Sequence, residues 1–203
     1  MADSNGMVYE VTQNMKIQMK LLSDTIFGNG RSLPGEEDIS VLADENGFPY
    51  YKGGTFKGIF REELSQYLAL TGGDESTLTS LLGFPGDDES ESSEKLVFSD
   101  FVISDPVKTA VLNEIGTGKP DAVLNAFTSM RVFTKIGDDG TAATGSLRMA
   151  RCVNKDIVFN SEILCKPEDE EIVEDVLGLI KSVGSMRNRG FGMVRISGVN
   201  GGK

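Results

Sequence analysis

Hydrophobic and polar positions alternate from residue 15 onward. Met15, Ile17, Met19 and Leu21 fall on one side, and Lys16, Gln18 and Lys20 on the other. A period of two marks a strand with one buried face. The turn-rich stretch FGNGRSLPGEED at 27–38 interrupts it, ISVLAD at 39–44 reads as a short strand, and ENG is a turn. After Gly53 and Gly54 the period lengthens. Phe56, Ile59, Phe60, Leu64, Tyr67 and Leu68 form the apolar stripe of a helix over 55–70, which Gly72 and Gly73 end. STLTSLLG at 76–83 predicts a second short helix. GDDESESSE at 86–94 is too polar to pack and reads as a flexible acidic surface loop.

LVFSDFVIS at 96–104 and AFTSMRVFTK at 126–135 read as strands. SLRMARCV at 146–153 and DIVFNSEILC at 156–165 read as two more, joined by a tight turn through Asn154 and Lys155. Pro167 then opens a helix with four acids in its first turn, which suits the helix dipole. Ile172, Val173, Val176, Leu179, Ile180 and Val183 recur at helical spacing, Lys181 sits in the last turn, and Gly184 is the stop. A glycine-rich basic loop leads to a final strand. The order strand, helix, several strands, helix, strand predicts an α+β ferredoxin-like sandwich, the fold that also underlies RNA-recognition modules. We read residues 1–203 as one domain with frayed ends at about 1–6 and 198–203.

Composition narrows the chemistry. The chain has no histidine. That excludes Ser-His-Asp and Cys-His catalysis, histidine acid-base chemistry and most zinc enzyme sites. Any catalysis rests on carboxylates, lysine, tyrosine, hydroxyls or a hard metal ion. Two cysteines, Cys152 and Cys165, make no disulfide framework and read as reduced residues of a cytoplasmic protein. The first residues, MADSNGMVYE, carry no secretory pattern, and the apolar runs are too short to span a bilayer. The net charge of -11 argues against a generic nucleic-acid binder. Much of the acid is segregated, however, into 86–94 and 168–175, and the cations lie elsewhere.

Two basic motifs stand out against that acidity. In the first, PYYKGGTFKGIFR at 49–61, glycines allow close backbone approach, a helix N-terminus favours anions, and Lys57 and Arg61 share one helix face. Such a site suits the consecutive phosphates of an RNA backbone. The bland alternative is a loop-to-helix turn with solvated cations. The second, GSMRNRGFGMV at 184–194, places two arginines among glycines between a helix and a strand. Its bland alternative is a helix stop followed by a tight turn.

The two motifs resemble the hallmarks of the RAMP superfamily of CRISPR-associated proteins. The first follows the family pattern P-x-I-P-G-S-S-L-K-G-x-x-R, with K-G-G-T where P-G-S-S is usual. The second follows G-x-x-x-S-R-G-x-G-x-V. Between them, GSLR at 145–148 and FNSEI at 159–163 resemble further segments of the family. Size and spacing are similar to the repeated backbone subunit of type III effector complexes. The resemblance implies a guide-RNA-binding protein whose first loop aspartate cuts complementary target RNA with a divalent metal. Here that residue is Asp38, both catalytic group and metal ligand. Mg²⁺ or another divalent cation is then needed for cleavage only, and Glu37 and Asp44 remain open as further ligands. The implied RNA contacts are Lys52, Gly53, Gly54, Lys57, Arg61, Arg131, Arg148, Arg187, Arg189, Gly190 and Gly192. The implied partners are guide RNA (crRNA), target RNA, other RAMP subunits and further copies of the chain, with no membrane.

The segment at about 125–146 resembles the family's thumb hairpin, with Met130, Arg131 and Phe133 as candidates for contact with the guide–target duplex. Alternation leaves open which of them face RNA and which are core. Competing readings are a non-catalytic scaffold subunit of the same complex, a standalone guide-processing endoribonuclease of the superfamily, and an unrelated ferredoxin-like protein that binds an acidic metabolite. The missing histidine counts against the endoribonuclease.

Overall fold

The computed structural model describes residues 12–28, 38–84, 95–134, 140–141 and 146–198. The acidic stretch at 86–94 and both expected frayed ends, apart from residue 198, lie outside these. Strand β1 (Gln13–Leu21) alternates buried and open residues as expected. It runs antiparallel to both β5 (Val158–Cys165) and β6 (Val194–Gly198), and β5 also pairs with the short β2 (Val97–Phe98). The sheet order is β2-β5-β1-β6. Helix α1 (Gly53–Thr71) lies between β1 and β2 in sequence, and α5 (Glu170–Leu179) between β5 and β6. This is the ferredoxin-like arrangement, a split β-α-β unit doubled. One core joins Met15, Ile17, Met19, Phe159 and Ile163 of the sheet to Phe56, Phe60 and Leu64 of α1 and to Val173 and Val176 of α5.

A second, two-stranded sheet pairs β3 (Thr128–Phe133) with β4 (Arg148–Val153). It covers part of the segment expected as the thumb at about 125–146, of which residues 135–139 and 142–145 lie outside the described ones, and it begins at Thr128 because helix α4 (Pro120–Phe127) occupies the residues before it. The Thr128 hydroxyl donates to Leu124 O at 2.7 Å, closing the helix as the strand starts. The two strands expected at 146–153 and 156–165 form no hairpin. Asn154 N–H donates to Phe127 O and Asp156 N–H to Leu21 O, so the turn between them carries the chain from one sheet to the other.

Four further expectations need correction. LVFSDFVIS is no continuous strand: the ladder stops after Phe98, because Asp100 turns out of it, and single bridges join Phe101 to Tyr51 and Val102 to Asn160. ISVLAD makes only single bridges, from Ile39 to Ala150, Val41 to Gly28 and Ala43 to Pro49. The acidic helix ends at Leu179, short of Gly184. Beyond it Val183 N–H donates to Gly192 O and Val194 N–H to Lys181 O, a ladder that draws Ile180 to Val183 out of the helix. Finally, helices α3 (Asp105–Ile115) and α4 fill a segment to which the hydrophobic pattern assigns nothing. Each has proline in its first turn beside an aspartate, a start signal that the weak apolar stripe of α3 obscures. The remaining helix, α2 (Ser76–Leu82), stands where expected.

Candidate nucleic-acid interface

The first motif is assembled by strand-like pairing before it becomes helical. Tyr51 exchanges two backbone hydrogen bonds with Phe101, at 3.1 and 2.8 Å. That pairing brings Asp100 under the start of α1, where its Oδ1 accepts the Gly53 N–H at 2.8 Å. The carboxylate caps the helix from a distant part of the chain, which is why α1 begins at Gly53 rather than residue 55. A Cβ on Gly53 would lie 2.2 Å from Phe98 O, so only glycine fits. The Gly53 amide is therefore engaged within the protein. Lys52 is the exposed N-cap residue, Gly54 faces open space, and Lys57 is half-buried.

Arg61 differs from expectation. Its Nη2 donates to Leu82 O at 3.1 Å and Gly83 O at 2.9 Å, binding α1 to the C-terminal end of α2. The guanidinium satisfies orphan helix carbonyls there, so it is engaged within the protein.

The second motif is a loop shaped by its contacts. Arg187, Asn188 and Arg189 form one 3₁₀ turn, all exposed. Gly192 is positive in φ at 75°, and a Cβ there would lie 2.0 Å from Val183 O. Its N–H donates to Asp24 O at 3.0 Å, so this amide too is engaged. Gly190, at φ 81°, has open space around it. Arg187 reaches Glu62 of α1 at 3.6 Å. Tyr51, stacked on Phe27, is buried against the same loop. Burial pushes its hydroxyl up to about 12, against smaller opposing pulls from the Gly184 backbone and the Arg187 guanidinium. The fold thus brings the two sequence motifs into contact.

The thumb register resolves the alternation left open by the sequence. Arg131 pairs with Ala150 and Phe133 with Arg148, while Met130 pairs with Arg151 and Val132 with Met149. Side chains of one parity share a face. Phe133 turns toward the body, its ring 5.6 Å from that of Phe191, and Arg131 forms an ion pair with Asp24. Met130, Val132 and Met149 occupy the opposite face and are exposed, with Leu147 just beyond. Arg148 is exposed at the start of β4. An open cleft of about 570 Å³ runs along the contact of Phe133 with Phe191, between the thumb and the glycine-rich loop; Arg131, Lys155 and Arg189 line it together with Asp24. Lys155 and Asp24 carry no sequence signal beyond lying in turns.

Asp38 lies beside the thumb. Its Oδ2 accepts the Met149 N–H at 2.7 Å, and Ile39 bridges Ala150 in parallel. The carboxyl group is thereby oriented while the residue stays exposed. Asp44 is committed elsewhere: its Oδ1 accepts from Asn46 and Phe48 N–H groups, and Lys108 of α3 binds its Oδ2 at 2.9 Å. Among the described residues no three His, Cys, Asp or Glu side chains converge as a metal cage. One exposed carboxylate still fits a magnesium ion, which keeps several waters and takes phosphate oxygens as ligands.

With that geometry in hand, a family model described as the RAMP superfamily matches residues 18–195. The chain belongs to the RAMP superfamily. No curated protein matches the sequence significantly. Among solved structures, this RAMP protein is similar in fold to a chain of the type III-B Cmr-beta complex bound to cognate target RNA. The TM-score is 0.69 and the identity 14%, over 92% of this chain and 97% of that one. It is likewise similar to a chain of the apo Cmr-beta complex, with a TM-score of 0.66 and 14% identity over 93% and 98% of the two chains. No helix among the described residues is long and apolar enough to cross a membrane.

Proposed function

We propose that this RAMP protein is a backbone subunit of a cytoplasmic type III RNA-guided effector complex. It holds guide RNA by its sugar-phosphate backbone and cuts the paired target RNA at Asp38. The observation that carries the reading is the bond from Met149 N–H to Asp38. It fixes the one candidate catalytic carboxylate to the edge of a hairpin whose outer face is a row of exposed apolar side chains. Family membership and the likeness to Cmr-beta chains support it.

Lys52, Lys57, Arg187 and Arg189, with Arg148 and the amides of Gly54 and Gly190, are the phosphate contacts in this reading. Such contacts position RNA without reading its sequence. Met130 and Val132 press between bases, unstacking a step of the duplex beside Asp38. A strained step allows the 2′-hydroxyl of the target to line up behind the adjacent phosphorus. The 2′-hydroxyl gives its proton to water as the 2′-oxygen–phosphorus bond forms, the bond from phosphorus to the 5′-oxygen breaks, and that oxygen takes a proton from water, so that a cyclic phosphate and a 5′-hydroxyl result. Asp38 would hold the divalent cation, whose chemistry is stabilisation of charge on that phosphate. No histidine is required. Other RAMP subunits and further copies of this chain extend the surface along the guide.

The test uses the complex reconstituted with its guide, complementary target RNA and Mg²⁺, comparing wild type with Asp38→Ala. Evenly spaced fragments that disappear in the variant, with target binding retained, support the reading. If both proteins cut alike, another subunit holds the nuclease. If neither cuts and both bind, the chain is a scaffold.

A further inference from the structure

We infer that Asp24 and Arg131 form a latch that sets the position of the thumb over the glycine-rich loop, so that Arg131 acts as a positioning residue rather than as a phosphate ligand. The effect on RNA rests on the functional reading above; the latch itself does not.

Asp24 sits in the turn that leaves β1 and grips three separate parts of the chain. Its Oδ2 binds the Arg131 guanidinium on β3. Its Oδ1 accepts the Lys155 N–H at 3.1 Å, in the turn at the root of β4. Its backbone carbonyl accepts the Gly192 N–H at 3.0 Å. One residue therefore holds the outer strand of the thumb, the base of the thumb and the glycine-rich loop. Its neighbours reinforce the joint: the Ser23 hydroxyl accepts Met193 N–H at 2.9 Å, and Thr25 exchanges two backbone hydrogen bonds with Val153.

The ion pair is unevenly exposed, with 17% of the Asp24 side chain accessible against 53% for Arg131. A carboxylate so shielded, with backbone donors already in place, is a fixed anchor for the arginine. The bond to Asp24 and its charge raise the Arg131 pKa, so the cation stays charged and held. On the same face of the hairpin, Phe133 packs on Phe191 and Ala150 and Cys152 pack on Ile26. The inward face is built to attach the thumb; the outward face, with Met130, Val132 and Met149, is left for a ligand.

Asp24→Asn separates a latch from a simple phosphate contact by the sign of its effect. Asparagine still accepts the Lys155 N–H, so the turn persists. It also removes a negative charge from a cleft lined by Arg131, Lys155 and Arg189. If Arg131 served as a phosphate ligand, releasing it would tighten RNA binding and preserve or steepen the salt dependence. If it is a latch, the thumb loosens. Hydrogen exchange of the full chain without RNA is then about fivefold faster at the amides of β3 and β4 in Asp24→Asn and in Arg131→Gln, with rates elsewhere unchanged, and Arg131→Lys recovers part of the protection. In the complex, Asp24→Asn spreads the cut positions over neighbouring nucleotides despite the more favourable charge. Unchanged exchange in both variants overturns the latch. So does Asp24→Asn with tighter binding and sharp cuts. Faster exchange in a protein that cuts no RNA even as wild type leaves the latch standing and removes the functional reading instead.

Discussion

Arg61 and Lys52, two cations of one motif, differ in how far the fold engages their side chains. Arg61 gives its guanidinium to two carbonyls at the end of α2, whereas Lys52 stands exposed at the helix N-cap with only its backbone engaged in the fold. Charge-assisted hydrogen bonds to carbonyls at a helix end carry more weight than an exposed cation. We expect Arg61→Ala to lower the unfolding free energy by about 1–2 kcal/mol, read as a shift of the urea midpoint. Lys52→Ala should stay within about 0.5 kcal/mol of wild type while releasing guide RNA at lower salt. A reversed order, with Lys52→Ala destabilising and Arg61→Ala silent, would exchange their roles. The residue pattern puts both cations in one motif. It was blind to the difference, because Leu82 and Gly83 approach Arg61 only after α2 has packed.

At the scale of elements, the fold was legible wherever one face is buried. The periods of β1, α1 and β5 are plain because Met15, Phe56 and Phe159 share a single core. Elements held by a specific polar contact were illegible. The break in LVFSDFVIS comes from Asp100 leaving the ladder to cap α1, a bond spanning 47 residues that no local pattern encodes. The pair α3–α4 escaped for the opposite reason: α3 buries no residue fully. What this pair does is brace the 44–49 turn, through Lys108, which binds Asp44 and sits 5.5 Å above the Phe48 ring. The site divides along the same line. Its glycines and cations were readable as motifs, and the outward row Met130, Val132 and Met149 became assignable only with the register of β3 on β4. The distant cap yields a prediction. Asp100→Ala should cost about 1 kcal/mol and raise hydrogen exchange in the first turn of α1, with the C-terminal turns of that helix unaffected. Unaltered exchange at Gly53 and Gly54 would mean that another group caps the helix.

Across the whole molecule, the thumb, the glycine-rich loop and the ferredoxin-like body meet at one joint, and titrating groups lie on both sides of it. Tyr51 faces the glycine-rich loop, and burial pushes its hydroxyl from 10.0 up to about 12. Cys152 lies on the inward face of the thumb; burial first, and then the Asp24 carboxylate, push its thiol from 9.0 up to about 11. Cys165 at the end of β5 in the main sheet moves the same way, chiefly through burial. In each case the neutral form is the one the fold accepts, so the unfolded chain loses its proton first as pH rises. The stabilisation is complete below about 9, falls as the unfolded thiols and then the unfolded tyrosine ionise, and is gone once pH passes about 12. The urea midpoint of the full chain should therefore be level through neutral pH and decline from about 9 upward. Cys152→Ala should delay the onset of that decline without abolishing it, because Tyr51 still titrates. Tyr51→Phe removes the upper part of the decline at little cost, since the hydroxyl has no hydrogen-bond partner of good geometry among the described residues. A midpoint that stays level in wild type up to pH 12 would show that Tyr51 and Cys152 are not sealed in the joint, and with them would go the close seating of the thumb on the glycine-rich loop.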